Sequence, residues 1–249
     1  MHPRGVATHA MSNDFADELF AGENYADAPG AMLAVVDRSG ISWQRSVGRP
    51  RLTDERGFSG STRFRLCSIS KSMGAQVVVA LADAGKIDLK AAACTYLPAL
   101  RGLPHQPTVM QLLAMQSGVR EFISLAYYAT AHDALPIKTT QFLELLFAQR
   151  GLNFEPGATT LYSNSNYLLL QAIVEQVTDS SICDSLQKYV FGPAGMRDAA
   201  FVRGPVLQEP GIACAYERNQ DSAWQPYEYL AELDLCGGVV ASFDDVVAW

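Results

Sequence analysis

Two patterns of apolar and polar positions predict regular structure along this chain. Near the start, two runs of residues that favour β-strands lie at 31–37 and 41–48, and Arg38-Ser39-Gly40 separates them. This pattern predicts a β-hairpin. Apolar residues at helical spacing predict the remaining elements, which are helices over 14–21, 68–84, 108–115, 139–149, 167–177, 182–191 and 244–249. The predicted order is two strands, then a long helical stretch, then a last segment that packs beside the strands. This order predicts an α/β (α+β) core with a helical insertion.

The same pattern predicts a single folded domain. Residues 1–12 are expected to form a disordered lead-in. We expect residues 13–249 to fold together, with 13–90 and 235–249 forming the α/β layer and 91–234 a helical region. A candidate site would then lie between the two layers.

The predicted helix that begins near Ser68 carries the first candidate for chemistry. Positions i and i+3 share one face of a helix, so the Lys71 amine is expected to reach the Ser68 hydroxyl. A serine at the first turn lies near unpaired N–H groups at the positive end of the helix, which favours an oxyanion there. Because a bare hydroxyl is a poor nucleophile, a neighbouring amine is one of the few groups that can activate it. This Ser-x-x-Lys spacing is typical of acyl-transfer serine hydrolases.

The spacing is a weak signal by itself. A second copy, Ser185-Leu186-Gln187-Lys188, lies inside an ordinary predicted helix. The alternative interpretation is that Ser68 only caps a buried helix. A second motif is therefore needed before a function can be inferred.

The triplet Tyr162-Ser163-Asn164 is the second candidate motif, in a loop predicted between two helices. A lysine ammonium beside the phenol would favour the phenolate, which would let Tyr162 act as a general base or relay a proton to the leaving group. Asn164 offers a carboxamide to a substrate amide. The alternative is that Tyr162 packs in the core while Asn164 caps the next helix.

Composition and charge narrow the classes of partner and ligand. A net charge of −7 without a basic run argues against nucleic acid and against an anionic membrane surface. No apolar run is long enough to cross a bilayer, and the N-terminus lacks the apolar core of a secretory signal, so we expect a cytoplasmic protein. The expected partner is a small molecule or short peptide, and a homodimer stays open.

The cysteines and histidines do not indicate a metal or cofactor. The cysteines stand singly and odd in number, which predicts reduced thiols rather than a disulfide framework or zinc site: Cys67, Cys94, Cys183, Cys214 and Cys236. Cys67 is expected to be a small core residue. His105 and His132 are expected at the surface. No His-Glu-x-x-His or Gly-rich phosphate motif occurs in the sequence.

Taken in order, the motifs resemble those of the class C β-lactamases and penicillin-recognising serine hydrolases. The resemblance covers residues 30–249 and rests on Ser68-x-x-Lys71, 112–118 (LLAMQSG), 154–157 (FEPG), Tyr162-Ser163-Asn164, 192–196 (GPAGM), and Gly237-Gly238 before Asp245 and Trp249. Within that superfamily, the residues at 67–71 (CSISK), 116–120 (QSGVR) and 154–157 are similar to the bacterial D-aminopeptidase branch. Each motif is loose, but their common order makes the set specific.

The resemblance implies a fold and a set of roles. The fold would be an antiparallel sheet flanked by helices, beside an all-helical region, as in β-lactamases and DD-peptidases. Ser68 would be the acylated nucleophile, Lys71 its proton partner, Tyr162 the general base, and Asn164 a substrate ligand. The family's activities include release of N-terminal D-residues from peptides and amides, ester hydrolysis, β-lactam hydrolysis and D-alanyl peptide cleavage.

We therefore expect a serine hydrolase that forms an acyl-enzyme on short peptides or amides with an N-terminal D-amino acid. The alternative substrates are a small ester or a β-lactam. Because no secretory signal is evident, the D-aminopeptidase-like branch is favoured over periplasmic β-lactamase or cell-wall work.

The sequence departs from the family at one point. The superfamily has a third motif, Lys or His followed by a small residue and Gly, and no such triplet follows Tyr162. The chain also ends at Trp249, before the family's remaining sheet strands. We therefore expect a fragment or truncated product that lacks one wall of the cleft and one oxyanion N–H. A non-catalytic, penicillin-binding-like sensor is the competing hypothesis from another class.

Overall fold

The computed structural model of the chain describes residues 17–21, 25–129, 137–228 and 232–249. The lead-in predicted at 1–12 lies outside these residues. Of the first predicted helix at 14–21, residues 17–19 are helical and the start of the segment lies outside the described residues. No helix within the described ranges combines the length and apolar character needed to cross a membrane.

The regular elements are strands near both ends of the described chain and helices mainly between them. The strands are β1 (Ala31–Asp37), β2 (Gly40–Val47), β3 (Arg63–Arg65), β4 (Ala200–Phe201), β5 (Ala215–Arg218), β6 (Trp224–Tyr227) and β7 (Val239–Ser242). The helices are α1 (Ser70–Asp83), α2 (Val109–Leu113), α3 (Phe122–Ala129), α4 (Thr139–Phe147), α5 (Asn164–Thr178), α6 (Ile182–Leu186) and α7 (Phe243–Ala248). A π-helical turn (Gln187–Phe191) and a single turn (Gly192–Ala194) continue α6.

The predicted hairpin is confirmed. β1 and β2 pair antiparallel, with Ala31 opposite Val47 and Asp37 opposite Gly40. Gly40 has φ +112, a conformation that an L side chain rarely adopts, and the Asp37 carboxylate accepts from the Ser39 N–H at 2.7 Å. The turn residues that the sequence singled out therefore close the hairpin.

A second sheet connects the segment before Ser68 with the segment after Gly238. It has the order β3-β7-β4, and β7 pairs antiparallel with both neighbours. Every residue of β7 is buried. Because β3 leads into the turn of Ser68 and β7 follows Gly237-Gly238, this sheet joins two distant parts of the sequence beside the candidate nucleophile.

The helical region predicted for 91–234 is wrong in its last part. Within the described part of 91–233, the helices end at Ala194, and β4, β5 and β6 occupy positions within 200–227. These strands have two to four residues, so they contain too few apolar and polar alternations for the period of two to be recognised. Helix α3 was also missed, because its exposed face carries apolar and aromatic residues such as Ile123 and Tyr128, so the sequence does not separate it from the buried face.

The hydrophobic core is centred on α1 and α5. The buried face of α1 repeats at helical spacing through Met73, Val77 and Leu81, each with none of its surface exposed. On α5, the central residues Leu168 to Leu170 and Ile173 are buried as well. The core thus fixes the two helices whose N-terminal ends carry the sequence motifs.

Two of the sequence motifs meet at Gly118, which has φ +72. A Cβ on Gly118 would lie 2.1 Å from the carbonyl oxygen of Phe154, and the Gly118 oxygen accepts from the Asn153 N–H at 2.8 Å. The backbones of 116–118 and 153–157 are therefore in direct contact. Glycine is required here both by the left-handed conformation and by the close approach.

Gly118→Ala is expected to lower the free energy of unfolding by about 2 kcal/mol more than Gly195→Ala. Gly195 is the matched control because it has φ +71 but no atom within 4 Å of its Cβ position. Both variants carry the left-handed strain, and only Gly118→Ala also collides with a backbone oxygen. Urea unfolding measures the difference, and equal losses in the two variants would contradict the contact.

Candidate active site

Ser68 lies on a tight turn immediately before α1. Residues Cys67–Ile69 form a 3-10 turn, and α1 begins at Ser70. Both sides of the turn are tied to β7, because the Leu66 N–H donates to the Val239 oxygen at 2.9 Å and the Ser70 hydroxyl accepts from the Val239 N–H at 3.1 Å. The exposed Ser68 side chain thus projects from a backbone that is fixed at two points.

Two of the predicted residues converge on the hydroxyl of a third, Ser68. The Ser68 Oγ lies 3.1 Å from the Lys71 Nζ and 2.7 Å from the Tyr162 hydroxyl oxygen. The first distance follows from the i, i+3 spacing on the helix. The second joins residues 94 positions apart and depends on the packing of α5 against α1. The serine hydroxyl is therefore held between an amine and a phenol.

Lys71 is buried, with 5% of its surface exposed. Besides the contact with Ser68, its Nζ donates to the backbone oxygen of Cys236 at 2.8 Å. The Nζ also lies 5.1 Å from the ring centroid of Tyr162 and 6.0 Å from that of Tyr167. Burial and the neighbouring Tyr162 raise the pKa of the Tyr167 phenol, so Tyr167 is a neutral wall of the amine's pocket.

Asn164 is the first residue of α5. The last residue of the triplet Tyr162-Ser163-Asn164 therefore lies on a helix and not in the predicted loop. Its Oδ1 lies 3.3 Å from the Tyr162 hydroxyl, which donates to it, and its Nδ2 donates to Glu121 Oε1 at 3.3 Å. Its backbone N–H donates to the other carboxylate oxygen of Glu121. The carboxamide is thus oriented by Glu121 so that its oxygen faces Tyr162.

Sequence reasoning missed Glu121 and Cys236. Cys236 accepts the hydrogen bond from Lys71 with its backbone carbonyl. Every residue has such a carbonyl, so the residue type at position 236 does not indicate this contact. The Cys236 Sγ donates to the backbone oxygen of Asn164 at 3.2 Å. Burial raises the pKa of the Cys236 thiol to about 12. Cys236 therefore stays protonated and links the segment before β7 to the N-terminus of α5. Glu121 lies outside the family motifs, next to the matched 116–120 stretch.

The prediction that Cys67 packs in the core is wrong. Cys67 is exposed and has φ +47, because the turn before α1 directs its side chain outward. It lines a mostly apolar cleft together with Phe64, Arg65, Val206, Leu207, Ala213, Cys214, Ala215, Tyr227 and Glu228. The residue that precedes Ser68 in the sequence therefore belongs to the wall of this cleft.

The second Ser-x-x-Lys copy is structural. Ser185 is buried on α6, and the Lys188 Nζ lies 5.1 Å from the ring centroid of the adjacent Tyr189. His105 is exposed and pairs with Glu155 at 3.7 Å, while His132 lies outside the described residues. Within the described ranges, no three side chains of His, Cys, Asp or Glu come together in a way that could hold a metal ion.

Comparisons with known proteins show which family the chain belongs to. A family model described as beta-lactamase matches residues 16–249. The D-aminopeptidase of Cereibacter sphaeroides (strain KD131 / KCTC 12085) is 31% identical over 230 residues, which cover 91% of this chain and 43% of that protein. The D-aminopeptidase of Brucella anthropi is 27% identical over 227 residues, covering 91% of this chain and 42% of that protein. The chain thus spans less than half the length of these curated relatives.

Solved structures show the same fold. The D-amino acid amidase from Ochrobactrum anthropi SV3, complexed with L-phenylalanine amide, matches with a TM-score of 0.75 and 22% identity over 94% of this chain and 65% of that one. An octameric penicillin-binding protein homologue from Pyrococcus abyssi matches with a TM-score of 0.80 and 20% identity, covering 95% of this chain and 54% of that one. The predicted antiparallel sheets flanked by helices are confirmed. The chain belongs to the beta-lactamase family, and it is similar to the D-aminopeptidases named above.

Proposed function

We propose that the chain is a hydrolase of the D-aminopeptidase type, which releases N-terminal D-amino acids from short peptides or amides through an acyl-enzyme on Ser68. The observation that carries the proposal is the position of the Ser68 hydroxyl, 3.1 Å from the Lys71 amine and 2.7 Å from the Tyr162 hydroxyl. A hydroxyl between two groups that can transfer a proton is an arrangement that can activate a serine as a nucleophile.

Each group has a distinct part in the proposed reaction. The Ser68 oxygen attacks the substrate carbonyl carbon while its proton passes to the Lys71 Nζ, which lies 3.1 Å away. The hydrogen bond from the Nζ to the Cys236 backbone oxygen keeps the end of the lysine side chain beside Ser68. The Tyr162 hydroxyl protonates the leaving amine as the C–N bond breaks. Water then adds to the acyl group with the proton transfers reversed, which releases the acid and restores Ser68.

The substrate class rests on the relatives. The D-aminopeptidases match at 27–31% identity, and a D-amino acid amidase has the same fold. A D-configured N-terminal residue is therefore the leading acyl group. A small ester and a β-lactam remain the alternatives, because the same nucleophile attacks any of these carbonyl carbons.

A panel of four substrates tests the proposal on the 249-residue chain. D-alanine and L-alanine anilides, a nitrophenyl ester and a chromogenic cephalosporin are assayed in parallel, with Ser68→Ala as the blank. Preferential hydrolysis of the D-anilide supports the proposal. Hydrolysis of the cephalosporin alone would overturn the D-aminopeptidase assignment. A fluorophosphonate probe that labels Ser68 without turnover of any substrate would favour a penicillin-binding-like sensor instead.

A further inference from the structure

We infer that Asp234 is a positioning residue for Lys71, acting through the backbone of residues 234–239, hereafter the Asp234 segment. The inference rests on the proposed function, since it assigns Asp234 to the activation of Ser68. Asp234 does not contact Ser68 or Lys71 in this arrangement. It fixes the carbonyl group of Cys236, which is the acceptor that directs the Lys71 amine.

The Asp234 carboxylate is bound from three separate elements. Its Oδ1 accepts from Gln171 Nε2 on α5 at 3.0 Å and from Arg203 Nε after β4 at 2.9 Å. Its Oδ2 accepts from the Thr139 hydroxyl at the start of α4. Asp234 is only 1% exposed, so these donors replace water around a buried charge.

Gln171 holds the same segment a second time. Its Oε1 accepts from the Leu235 N–H at 2.9 Å, while its Nε2 donates to the Asp234 carboxylate. Asp234 itself has φ +47, a left-handed conformation that costs energy for a residue other than glycine. These side-chain bonds hold the turn together with the backbone bonds that the Gly237 and Gly238 N–H groups donate to the Asp234 backbone oxygen.

The Asp234 segment contacts α1, the Lys71 amine and the first residue of α5. Leu235 packs on the backbone of α1, where a Cβ on Gly74 would lie 2.3 Å from its Cδ2. The backbone oxygen of Cys236 accepts from the Lys71 Nζ, and the Cys236 Sγ donates to the backbone oxygen of Asn164. The Val239 N–H donates to Ser70. A shift of this one segment would move the acceptor of the amine and loosen the helix end that carries Asn164.

A purely structural role makes a different prediction from a positioning role. If Asp234 only stabilises the fold, its loss costs free energy of unfolding and leaves the surviving folded molecules fully active. If it positions Lys71, the folded molecules acylate more slowly, and the buried amine becomes accessible to reagents. Asp245 separates the two cases because it is also buried, at 4% exposure, and accepts from the Ser242 and Asp198 N–H groups without contacting the Asp234 segment.

The test compares Asp234→Ala, Asp234→Asn and the control Asp245→Ala with the wild-type chain. The first readout is the second-order rate constant for labelling of Ser68 by a fluorophosphonate. The second is the rate of reductive methylation of Lys71, followed by mass spectrometry with Lys188 as the internal reference. If Asp234→Ala does not fold, Gln171→Met replaces it, because it removes both a donor to the Asp234 carboxylate and the acceptor of the Leu235 N–H.

We expect Asp234→Ala to label about tenfold more slowly, because small displacements of supporting groups cost rate in this range. On a hydrolysed substrate, kcat falls and KM stays within about twofold, because the substrate contacts are unchanged. Lys71 is methylated faster than in the wild type, and Asp234→Asn, which keeps the shape and an acceptor oxygen, recovers most of the loss.

Two results would overturn the inference: a folded Asp234→Ala with wild-type labelling and methylation rates, or an equal loss of labelling in Asp245→Ala. If the wild-type chain is neither labelled nor active, the proposed function fails. The methylation rate of Lys71 still decides whether Asp234 positions the amine, so the two failures are distinguishable.

Discussion

Lys71→Met is expected to lower the rate of Ser68 acylation by about 10²- to 10⁴-fold, the range in which general base catalysis contributes. Methionine fills much of the space of the lysine stem but cannot accept the serine proton. It also removes the amine that lies 3.1 Å from the Ser68 oxygen. The measurement is the fluorophosphonate labelling rate of folded protein, together with hydrolysis of whichever anilide or ester the wild-type chain accepts.

The second Ser-x-x-Lys copy provides the matched control. Lys188→Met makes the same chemical change at the same spacing from a serine, but Ser185 is buried on α6 and Lys188 faces a tyrosine ring. Its labelling rate should equal that of the wild type. A wild-type rate in Lys71→Met, or a parallel loss in Lys188→Met, would remove Lys71 from the mechanism.

A loss of stability has to be separated from the loss of rate. In Lys71→Met the Cys236 oxygen loses its donor, and an unsatisfied buried acceptor costs about 1–3 kcal/mol. Unfolding by urea shows whether the variant remains folded under assay conditions. Lys71→Arg is informative because arginine can donate to the same carbonyl but cannot take up a proton at neutral pH, so it should be stable yet slow.

Local periodicity was enough to predict the parts of the site that one element contains. The helical spacing around Met73 and Val77 placed Ser68 and Lys71 on one face, and the structure brings their side chains together. The hairpin could be predicted for the same reason, because Gly40 and Asp37 are turn residues with a local physical role. Such features depend on a few neighbouring residues.

Contacts between distant elements could not be derived in this way. Tyr162 was linked to Ser68 only by the ordered resemblance to a family, since neither residue type nor spacing connects positions 94 residues apart. Glu121, Cys236 and Asp234 belong to no motif and act through a carboxylate, a carbonyl and a turn, so nothing in the sequence marks them. The strands β4 to β6 are too short to carry a pattern.

Tyr162→Phe is expected to slow hydrolysis of an alanine anilide by about 10²-fold while leaving the fold intact. The phenol is 55% exposed, and its hydroxyl contacts Ser68 at 2.7 Å and Asn164 at 3.3 Å. Phenylalanine keeps the ring beside the Lys71 amine and removes only the proton-carrying oxygen. Tyr128→Phe is the control, because this tyrosine is 81% exposed and outside the site.

The leaving group determines how large the effect of Tyr162→Phe should be. An amine must be protonated as it leaves, whereas nitrophenolate leaves without a proton. If Tyr162 protonates the leaving group, the variant should lose much more activity on the anilide than on the nitrophenyl ester. Equal losses on both substrates would instead assign Tyr162 to the removal of the Ser68 proton, since that step is common to the two reactions. Equal activity of Tyr162→Phe and the wild type on both substrates would contradict any catalytic role for the phenol.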